Sequence, residues 1–264
     1  MSTVAVVTDS TACLTDQLRE QSGVRVVPIH VVVDGQTYLD GVDITSEEVA
    51  SALSRLAAVS TSKPSPHQFL DTYSAAAEAG AESILSVHLS SALSGTYDAA
   101  RLAARDAPVP VEVVDSRSIA MGLGFAALNA ATAVDQGADL QAAAEAARRS
   151  ASDSQVLFYV DTLEFLRRGG RIGKASAWLG SALRVKPLLH VVDGEVAPLE
   201  KARTANRALG RLAELAVAAA DGRQVQVAVQ HLQAPQRAQE MADRLHAQLR
   251  TEVVVCEVGA VMGV

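Results

Sequence analysis

Short apolar runs alternate with longer amphipathic segments along most of this 264-residue chain. Residues 3–8 read TVAVVT and residues 83–89 read SILSVHL, and both runs are typical of strands buried in a parallel sheet. A turn and a helical pattern of about ten to fifteen residues follow each run. This alternation predicts an α/β fold with a largely parallel sheet.

Turn signals mark the ends of several segments. Residues 24–33, VRVVPIHVVV, are predicted to form one extended segment that ends at a hairpin turn at Asp34-Gly35. Residues 59–66, VSTSKPSP, are mostly polar and contain two prolines. We therefore expect a loop there, leading into the next helix.

The pattern changes after about residue 153. A helix is predicted over residues 171–183, and a hairpin that turns at Asp193-Gly194 follows it. This order of hairpin and helices is typical of a smaller α+β unit. We therefore expect two domains, an α/β sheet domain at residues 1–153 and a second α/β domain at residues 154–264.

The composition narrows the class of protein. Hydrophobic residues make up 49% of the chain and charged residues 20%, as in an ordinary globular protein. A net charge of −7 and only 3% aromatic residues argue against a nucleic-acid-binding surface, which needs basic groups and stacking platforms. The longest weakly polar stretch, residues 119–134, is too short to cross a bilayer and is predicted to be a buried helix. The N-terminus lacks the features of a signal peptide, so we expect a cytoplasmic protein.

The two cysteines, Cys13 and Cys256, lie far apart in the sequence. Their number and spacing match neither a disulfide framework nor a zinc site, and the six histidines show no metal-ligand spacing. We expect two buried free thiols in a reducing compartment, and no metal.

Two clusters of hydroxyl side chains precede predicted helices. The first lies in SSALSGTY at residues 90–97, and the second in STSKPS at residues 60–65. Capping of the helix is the favoured interpretation of the first cluster taken by itself, although one hydroxyl suffices for a cap. The alternative is that the spare hydroxyls and the free N–H groups hold an anion. Two such clusters without a matching acid–base pair indicate a receptor for an anionic group rather than a catalyst. The hydroxyl residues are Ser60, Thr61, Ser62, Ser65, Ser90, Ser91, Ser94 and Thr96.

A basic segment, RRGGRIGKAS, occupies residues 167–176. It is not a phosphate-binding loop, because that motif requires a glycine where Arg168 stands and a Ser or Thr where Ala175 stands. The segment is either a solvated face or a binding surface. Its cations are Arg167, Arg168, Arg171 and Lys174.

Asp9 and Asp115 each stand before a serine at the end of a predicted strand. Open parallel sheets bind ligands at this edge, so a nucleophile or a metal ligand is one interpretation. No second acidic residue follows at short spacing, however, and we interpret both residues as helix caps.

Seven motifs in order along the chain resemble those of the DegV family. They are VVTDST, STSKPS, SSALSGTY, VVDS, GGRI, KPLL and KARTANRAL, and the resemblance extends over nearly the whole chain. The resemblance implies two α/β domains that clasp one long-chain fatty acid between them. It also implies no catalysis by this chain alone and no cofactor, since a separate kinase phosphorylates the bound carboxylate and the acyl phosphate feeds phospholipid synthesis.

The resemblance also assigns residues. Thr61 and Ser94 would hydrogen-bond the fatty-acid carboxylate. Transient contact with a membrane is expected for exchange of the lipid, and no contact with nucleic acid. The residues expected near the head group or on the kinase-facing surface are Ser62, Gly95, Arg171 and Arg203.

One departure from the family pattern concerns the end of the sequence. Family members continue with a His-[TV]-Gly-Pro-Gly turn, and this sequence ends at Val264, one residue before that histidine. We expect a shortened chain. Two other functions remain open from the residues: a small-molecule phosphotransferase that uses Asp9 and Asp115, and a binding protein for another anion such as a sugar phosphate.

Overall fold

A computed structural model describes residues 3–55, 57–178 and 185–259. Within these ranges helices and strands alternate along the chain. The first elements are β1 (Val4–Asp9), α1 (Asp16–Ser22), β2 (Arg25–Val27), β3 (His30–Val33), β4 (Gln36–Leu39), α2 (Ser46–Ser54), β5 (Val59–Ser62), α3 (Pro66–Glu78), β6 (Ser83–His88), α4 (Thr96–Ala103), β7 (Val111–Asp115), α5 (Met121–Asp135) and α6 (Leu140–Asp153). The later elements are β8 (Leu157–Tyr159), α7 (Glu164–Arg168), β9 (Lys186–Val192), β10 (Glu195–Ala202), α8 (Ala205–Ala220), β11 (Val227–His231), α9 (Pro235–Leu249) and β12 (Val253–Glu257).

A four-stranded parallel sheet in the order β2-β1-β6-β7 forms the central layer. Side chains alternate between its two faces, as a pleated strand requires. Val6 and Leu85 pack with the buried alanines of α5 and α6 on one face. Val7 and Ile84 pack with α3 and α4 on the other. The predicted mixed α/β fold with a parallel core is confirmed.

A second, antiparallel sheet has the order β4-β3-β5. The prediction of one extended segment over residues 24–33 is wrong, because the chain leaves the parallel sheet after β2 and begins this second sheet at β3. The hairpin turn at Asp34-Gly35 is confirmed, and both residues have positive φ angles there (49° and 83°). The main-chain N–H of Ile29, which lies between the two strands, donates to Ser10 Oγ at 3.1 Å.

The first half of the segment predicted as a loop over residues 59–66 is a strand, and only residues 63–65 form the expected loop before α3. Residues Val59–Ser62 form β5 and pair with β3, so that Thr61 lies opposite Val31. Serine and threonine hydroxyls do not prevent pairing when a partner strand satisfies the backbone. The alternation of the strand leaves Thr61 partly buried and Ser62 exposed.

Two further sheets follow α6. Strands β8, β9 and β10 form an antiparallel sheet, and β11 and β12 pair in parallel. The predicted hairpin at Asp193-Gly194 joins β9 to β10 and is confirmed.

The helix predicted over residues 171–183 is only a 3₁₀ helix at Gly173–Trp178, and residues 179–183 lie outside the described ranges. Gly173 has φ +52°, and a Cβ there would lie 2.3 Å from the Val196 carbonyl oxygen. This close approach requires glycine and a left-handed backbone, so a regular α-helix cannot form across it.

The small-residue stretch predicted as a buried helix forms α5, and most of its residues are buried. No described helix is long and apolar enough to cross a membrane. The end of the sequence, including Val264, lies outside the described residues, so the expected shortening of the chain stays a prediction.

Candidate functional site

A cavity of about 1050 Å³ lies between the parallel sheet with its helix α5 and the elements that follow α6. Its wall is built from segments far apart in sequence, including α5, β8, α8, β11 and α9. Much of the lining is aliphatic or aromatic, as is usual for a site that takes an organic ligand. Apolar lining residues include Leu93, Phe125, Phe158, Leu212, Met241 and Leu245.

Polar side chains meet at one part of this wall. Thr61, Ser62 and Lys63 come from the end of β5, and Ser94 comes from the loop between β6 and α4. Arg171 follows α7 and reaches the same loop. The structure thus brings together both hydroxyl clusters and one arginine of the basic segment.

The loop that carries Ser94 is held by hydrogen bonds of its own. Ser94 Oγ lies 2.9 Å from Thr96 Oγ1 and accepts from the Thr96 main-chain N–H at 3.3 Å. The N-cap of α4 is Gly95, which has no side-chain cap. Ser94 therefore satisfies the first free N–H of α4, as the capping interpretation expects, and it also lines the cavity.

Ser90 links this loop to the second half of the chain. Its hydroxyl donates to the Gly194 carbonyl at 2.7 Å and accepts from the Ala92 N–H at 3.2 Å. Gly194 has φ +82°, and a Cβ there would lie 2.4 Å from Ser90 Oγ. The turn of the β9–β10 hairpin therefore needs glycine at residue 194 in order to pack against the loop that contains Ser90.

Arg171 differs from the other cations of the basic segment. Its Nε donates to the Leu93 carbonyl at 3.1 Å and its Nη1 to the Gly169 carbonyl at 2.6 Å. No described carboxylate forms an ion pair with it. Main-chain carbonyls leave the positive charge of the guanidinium in place at the cavity wall.

The remaining cations of the segment are paired with acids. Arg167 and Arg168 both bind Glu164, with nitrogen–oxygen distances of 2.7–2.8 Å, and their hydrogen bonds lower the Glu164 pKa to about 2. Lys174 lies 3.6 Å from Glu195. The segment is therefore a largely neutralised surface in which Arg171 alone reaches the cavity.

Lys63 is a cavity residue that sequence reasoning missed. A Cβ built on Gly95 would lie 3.0 Å from Lys63 Cδ and 3.1 Å from Lys63 Nζ, so the lysine side chain lies over Gly95. The sequence signal for Lys63 is that it is a cation within the hydroxyl-rich STSKPS segment. Gly95 itself and Arg203 do not line the cavity; Gly95 is partly buried and Arg203 is exposed.

A fully buried polar chain runs beneath the same edge of the sheet. His88 Nδ1 lies 3.0 Å from Asp9 Oδ2, His88 Nε2 lies 2.7 Å from Ser86 Oγ, and Ser86 Oγ lies 2.8 Å from the Tyr73 hydroxyl. Burial raises the Tyr73 pKa to about 12. None of the four side chains lines the cavity.

Asp9 has its carboxylate occupied by protein donors. It accepts from the Thr11 and Leu89 main-chain N–H groups, each at 3.1 Å, in addition to His88. Asp115 accepts from the N–H groups of Ser91 and Arg117. Asp9 caps the short 3₁₀ helix Ser10–Ala12, as expected. Asp115 instead fixes the loop after β7 and does not cap α5, whose N-cap is Ala120, so the capping interpretation of Asp115 is wrong. The burial of Asp9 argues against its use as a nucleophile. The described residues include no group of three or more His, Cys, Asp or Glu side chains placed to hold a metal.

Both cysteines are buried and free, as expected. Cys13 Sγ accepts from the Gly259 N–H at 3.5 Å, which joins the start of the chain to the segment after β12. Burial raises the Cys13 pKa to about 12. The thiol is therefore protonated at neutral pH and serves as a small packing group.

Comparisons with known proteins agree with this architecture. A profile of the DegV family matches residues 3–264. A DegV domain-containing protein of Streptomyces coelicolor is 50% identical over 262 residues, which are 98% of this chain and 93% of the relative. A Thermus thermophilus structure described as fatty acid binding of a DegV family protein superposes with a TM-score of 0.91 at 36% identity, over 98% of this chain and 94% of that one. Bacillus subtilis DegV, described as a fatty acid binding protein, gives a TM-score of 0.88 at 30% identity, over 100% and 95%.

Proposed function

This chain belongs to the DegV family, and from that membership and the cavity we propose that it binds one long-chain fatty acid and presents the carboxylate to a partner kinase. The observation that carries the proposal is the cavity of about 1050 Å³, with extensive apolar walls and a group of hydroxyls and cations at one part. The solved relatives from Thermus thermophilus and Bacillus subtilis, both described as fatty acid binding, support the same ligand.

The tail supplies most of the affinity in this proposal. Burial of an acyl chain removes about 0.8 kcal/mol per methylene from water, so about fourteen methylenes supply roughly 11 kcal/mol before the costs of ordering. Side chains such as Phe125, Leu212 and Met241 offer that environment. The head group then needs only to be positioned.

Thr61 and Ser94 hold the carboxylate in this proposal, and Arg171 lies beside it. Both hydroxyls can donate to a carboxylate oxygen, and such bonds are stronger than those between neutral groups. Arg171 is already fixed by the Leu93 and Gly169 carbonyls, so its charge is positioned without needing the ligand.

A kinase partner explains why the polar part of the cavity includes exposed residues. Ser62 and Lys63 are exposed and line the cavity, so a head group there remains within reach of another protein. We assign Gly95 and Arg203 to the surroundings of that surface. The ligand lies between domains 1–153 and 154–264 in this proposal, and the protein works in the cytoplasm, with transient membrane contact for exchange of the lipid.

The experiment is mass spectrometry of the purified protein under native conditions and then of its organic extract. We expect one long-chain fatty acid per chain. Addition of a bacterial fatty acid kinase and ATP should then give an acyl phosphate, whereas the chain with ATP alone should give none. Folded protein without stoichiometric lipid, which also fails to take up palmitate, would overturn the binding function. Phosphoryl transfer without a partner would replace it with the phosphotransferase function.

A further inference from the structure

Two cations flank Ser94 and have no carboxylate partner in the part of the chain that the structure describes. Arg171 Nε bonds to the carbonyl of Leu93, the residue before Ser94. Lys63 lies over Gly95, the residue after it, with its Nζ 3.1 Å from where a Cβ of Gly95 would stand. Neither cation forms an ion pair with an acidic side chain among the described residues.

Three other cations near this part of the chain differ from Lys63 and Arg171 in having acidic partners. Arg167 and Arg168 share Glu164, and Lys186 lies 2.7 Å from Asp161. An exposed lysine normally loses little by remaining unpaired. At a cavity wall, however, two unneutralised charges on either side of one hydroxyl create a positive potential at the place where a head group would lie.

We propose that Lys63 is a specificity-determining residue, which together with Arg171 makes this site favour lipids with a doubly charged phosphate head over those with a singly charged carboxylate or a neutral head. This inference rests on the proposed function. The energy of a head group in the potential of Lys63 is proportional to the charge of that group. A carboxylate carries one negative charge, whereas a phosphate monoester or an acyl phosphate carries about two at pH 8.

The consequence concerns the phosphorylated product. When a phosphoryl group joins the carboxylate, the head gains about one negative charge and the attraction of Lys63 roughly doubles. The chain therefore holds an acyl phosphate more tightly than the fatty acid from which it was made. A ligand with a hydroxyl head gains nothing from either cation.

The test compares three ligands with the same sixteen-carbon tail: hexadecanol, palmitate and hexadecyl phosphate. Each displaces a fluorescent fatty acid from delipidated protein at pH 8 and low ionic strength. The variants are Lys63→Gln, Lys63→Arg as the conservative exchange, and Arg55→Gln as a control. Arg55 is an exposed cation at the C-terminal end of α2 and does not line the cavity.

The expected result is a graded loss. Lys63→Gln should lower the affinity for palmitate about threefold and the affinity for hexadecyl phosphate about ninefold, which is the square of the first factor. The affinity for hexadecanol should not change. Lys63→Arg and Arg55→Gln should keep the wild-type order, and salt should reduce the differences. Equal changes for all three ligands, or no change for any, would overturn the role of Lys63 while leaving fatty-acid binding intact. Failure of wild-type protein to bind palmitate would instead overturn the proposed function, and this inference with it.

Discussion

Arg171 Nε donates a hydrogen bond to the Leu93 carbonyl at 3.1 Å, across 78 residues of sequence. The acceptor is the residue next to Ser94, so an arginine from the second half of the chain helps to position a hydroxyl from the first half. Arg171 and Ser94 both line the cavity. This part of the cavity wall therefore depends on how the two halves of the chain meet.

The first prediction concerns Arg171→Lys. Lysine keeps a positive charge but lacks the planar fork that binds two carbonyls at once. We expect palmitate affinity to fall about tenfold with a smaller change for hexadecanol, measured by displacement of a fluorescent fatty acid. Arg167→Lys is the matched control, since Arg167 pairs with Glu164 outside the cavity. An equal loss for both ligands would assign Arg171 a purely structural role.

The second prediction concerns Ser94→Ala and Thr61→Ala. Each removes one hydrogen bond to a charged acceptor, worth about 1.5–3 kcal/mol. Phosphorylation by the partner kinase should fall more steeply than retention of the fatty acid, because phosphoryl transfer depends on placement of the head. Ser60→Ala is the control on the same strand, since Ser60 does not line the cavity. Normal acyl phosphate formation by both variants would show that the carboxylate is held elsewhere.

The third prediction concerns the length of the cavity. Ala216 on α8 lines it, whereas Ala218 on the same helix is exposed and does not. Ala216→Trp should exclude part of a long tail and cost about 0.8 kcal/mol of affinity per methylene displaced, so sixteen-carbon acids should suffer more than ten-carbon acids. Ala218→Trp should leave the preference unchanged. The same chain-length preference in both variants would remove Ala216 from the tail-binding wall.

The fourth prediction concerns the buried pair of Asp9 and His88. His88→Ala should lower the free energy of unfolding in urea by about 3–5 kcal/mol, because it leaves a buried carboxylate without one of its partners. His67→Ala removes a comparable contact to Asp71 at an exposed position, where the His67 side chain is 81% accessible. It should change stability by less than about 1 kcal/mol. Similar losses in the two variants would mean that burial does not set the strength of these pairs.

The fifth prediction concerns pH. Cys13 has a pKa of about 12 in the folded protein, raised by burial above its usual 9.0. Its contribution to stability is therefore complete below about pH 9 and is lost as the pH rises toward 12. The free energy of unfolding of Cys13→Ala should fall less steeply with pH over this range than that of the wild type. The difference between the two slopes corresponds to up to one proton per molecule. Parallel declines in the variant and the wild type would exclude the thiol as the titrating group.

Local patterns were sufficient to predict much of the fold. Apolar runs predicted β1 and β6, and Asp-Gly pairs predicted both hairpin turns, because these features depend on residues close together in sequence. The strand at Val59–Ser62 was missed since its pairing with β3 is a tertiary contact that overrides its polar composition.

The site was only partly predictable for a related reason. The hydroxyls Thr61 and Ser94 stood out as clusters with more polar groups than a cap requires. Cavity residues such as Leu212 and Met241 did not, because a helix face that lines a cavity has the same apolar spacing as one that packs in a core. Lys63 could not be identified as a cavity residue from the sequence, because its side chain lies over Gly95, 32 residues away, and no local pattern contains that contact.

The distribution of the cavity wall along the chain has a consequence for biosynthesis. Phe125 on α5 lines the cavity together with Leu245 on α9, 120 residues later. Domains fold from the N-terminus while the ribosome is still adding residues. A nascent chain that ends before α9 therefore lacks part of the cavity wall, and an organic ligand can be enclosed only after α9 has been synthesised.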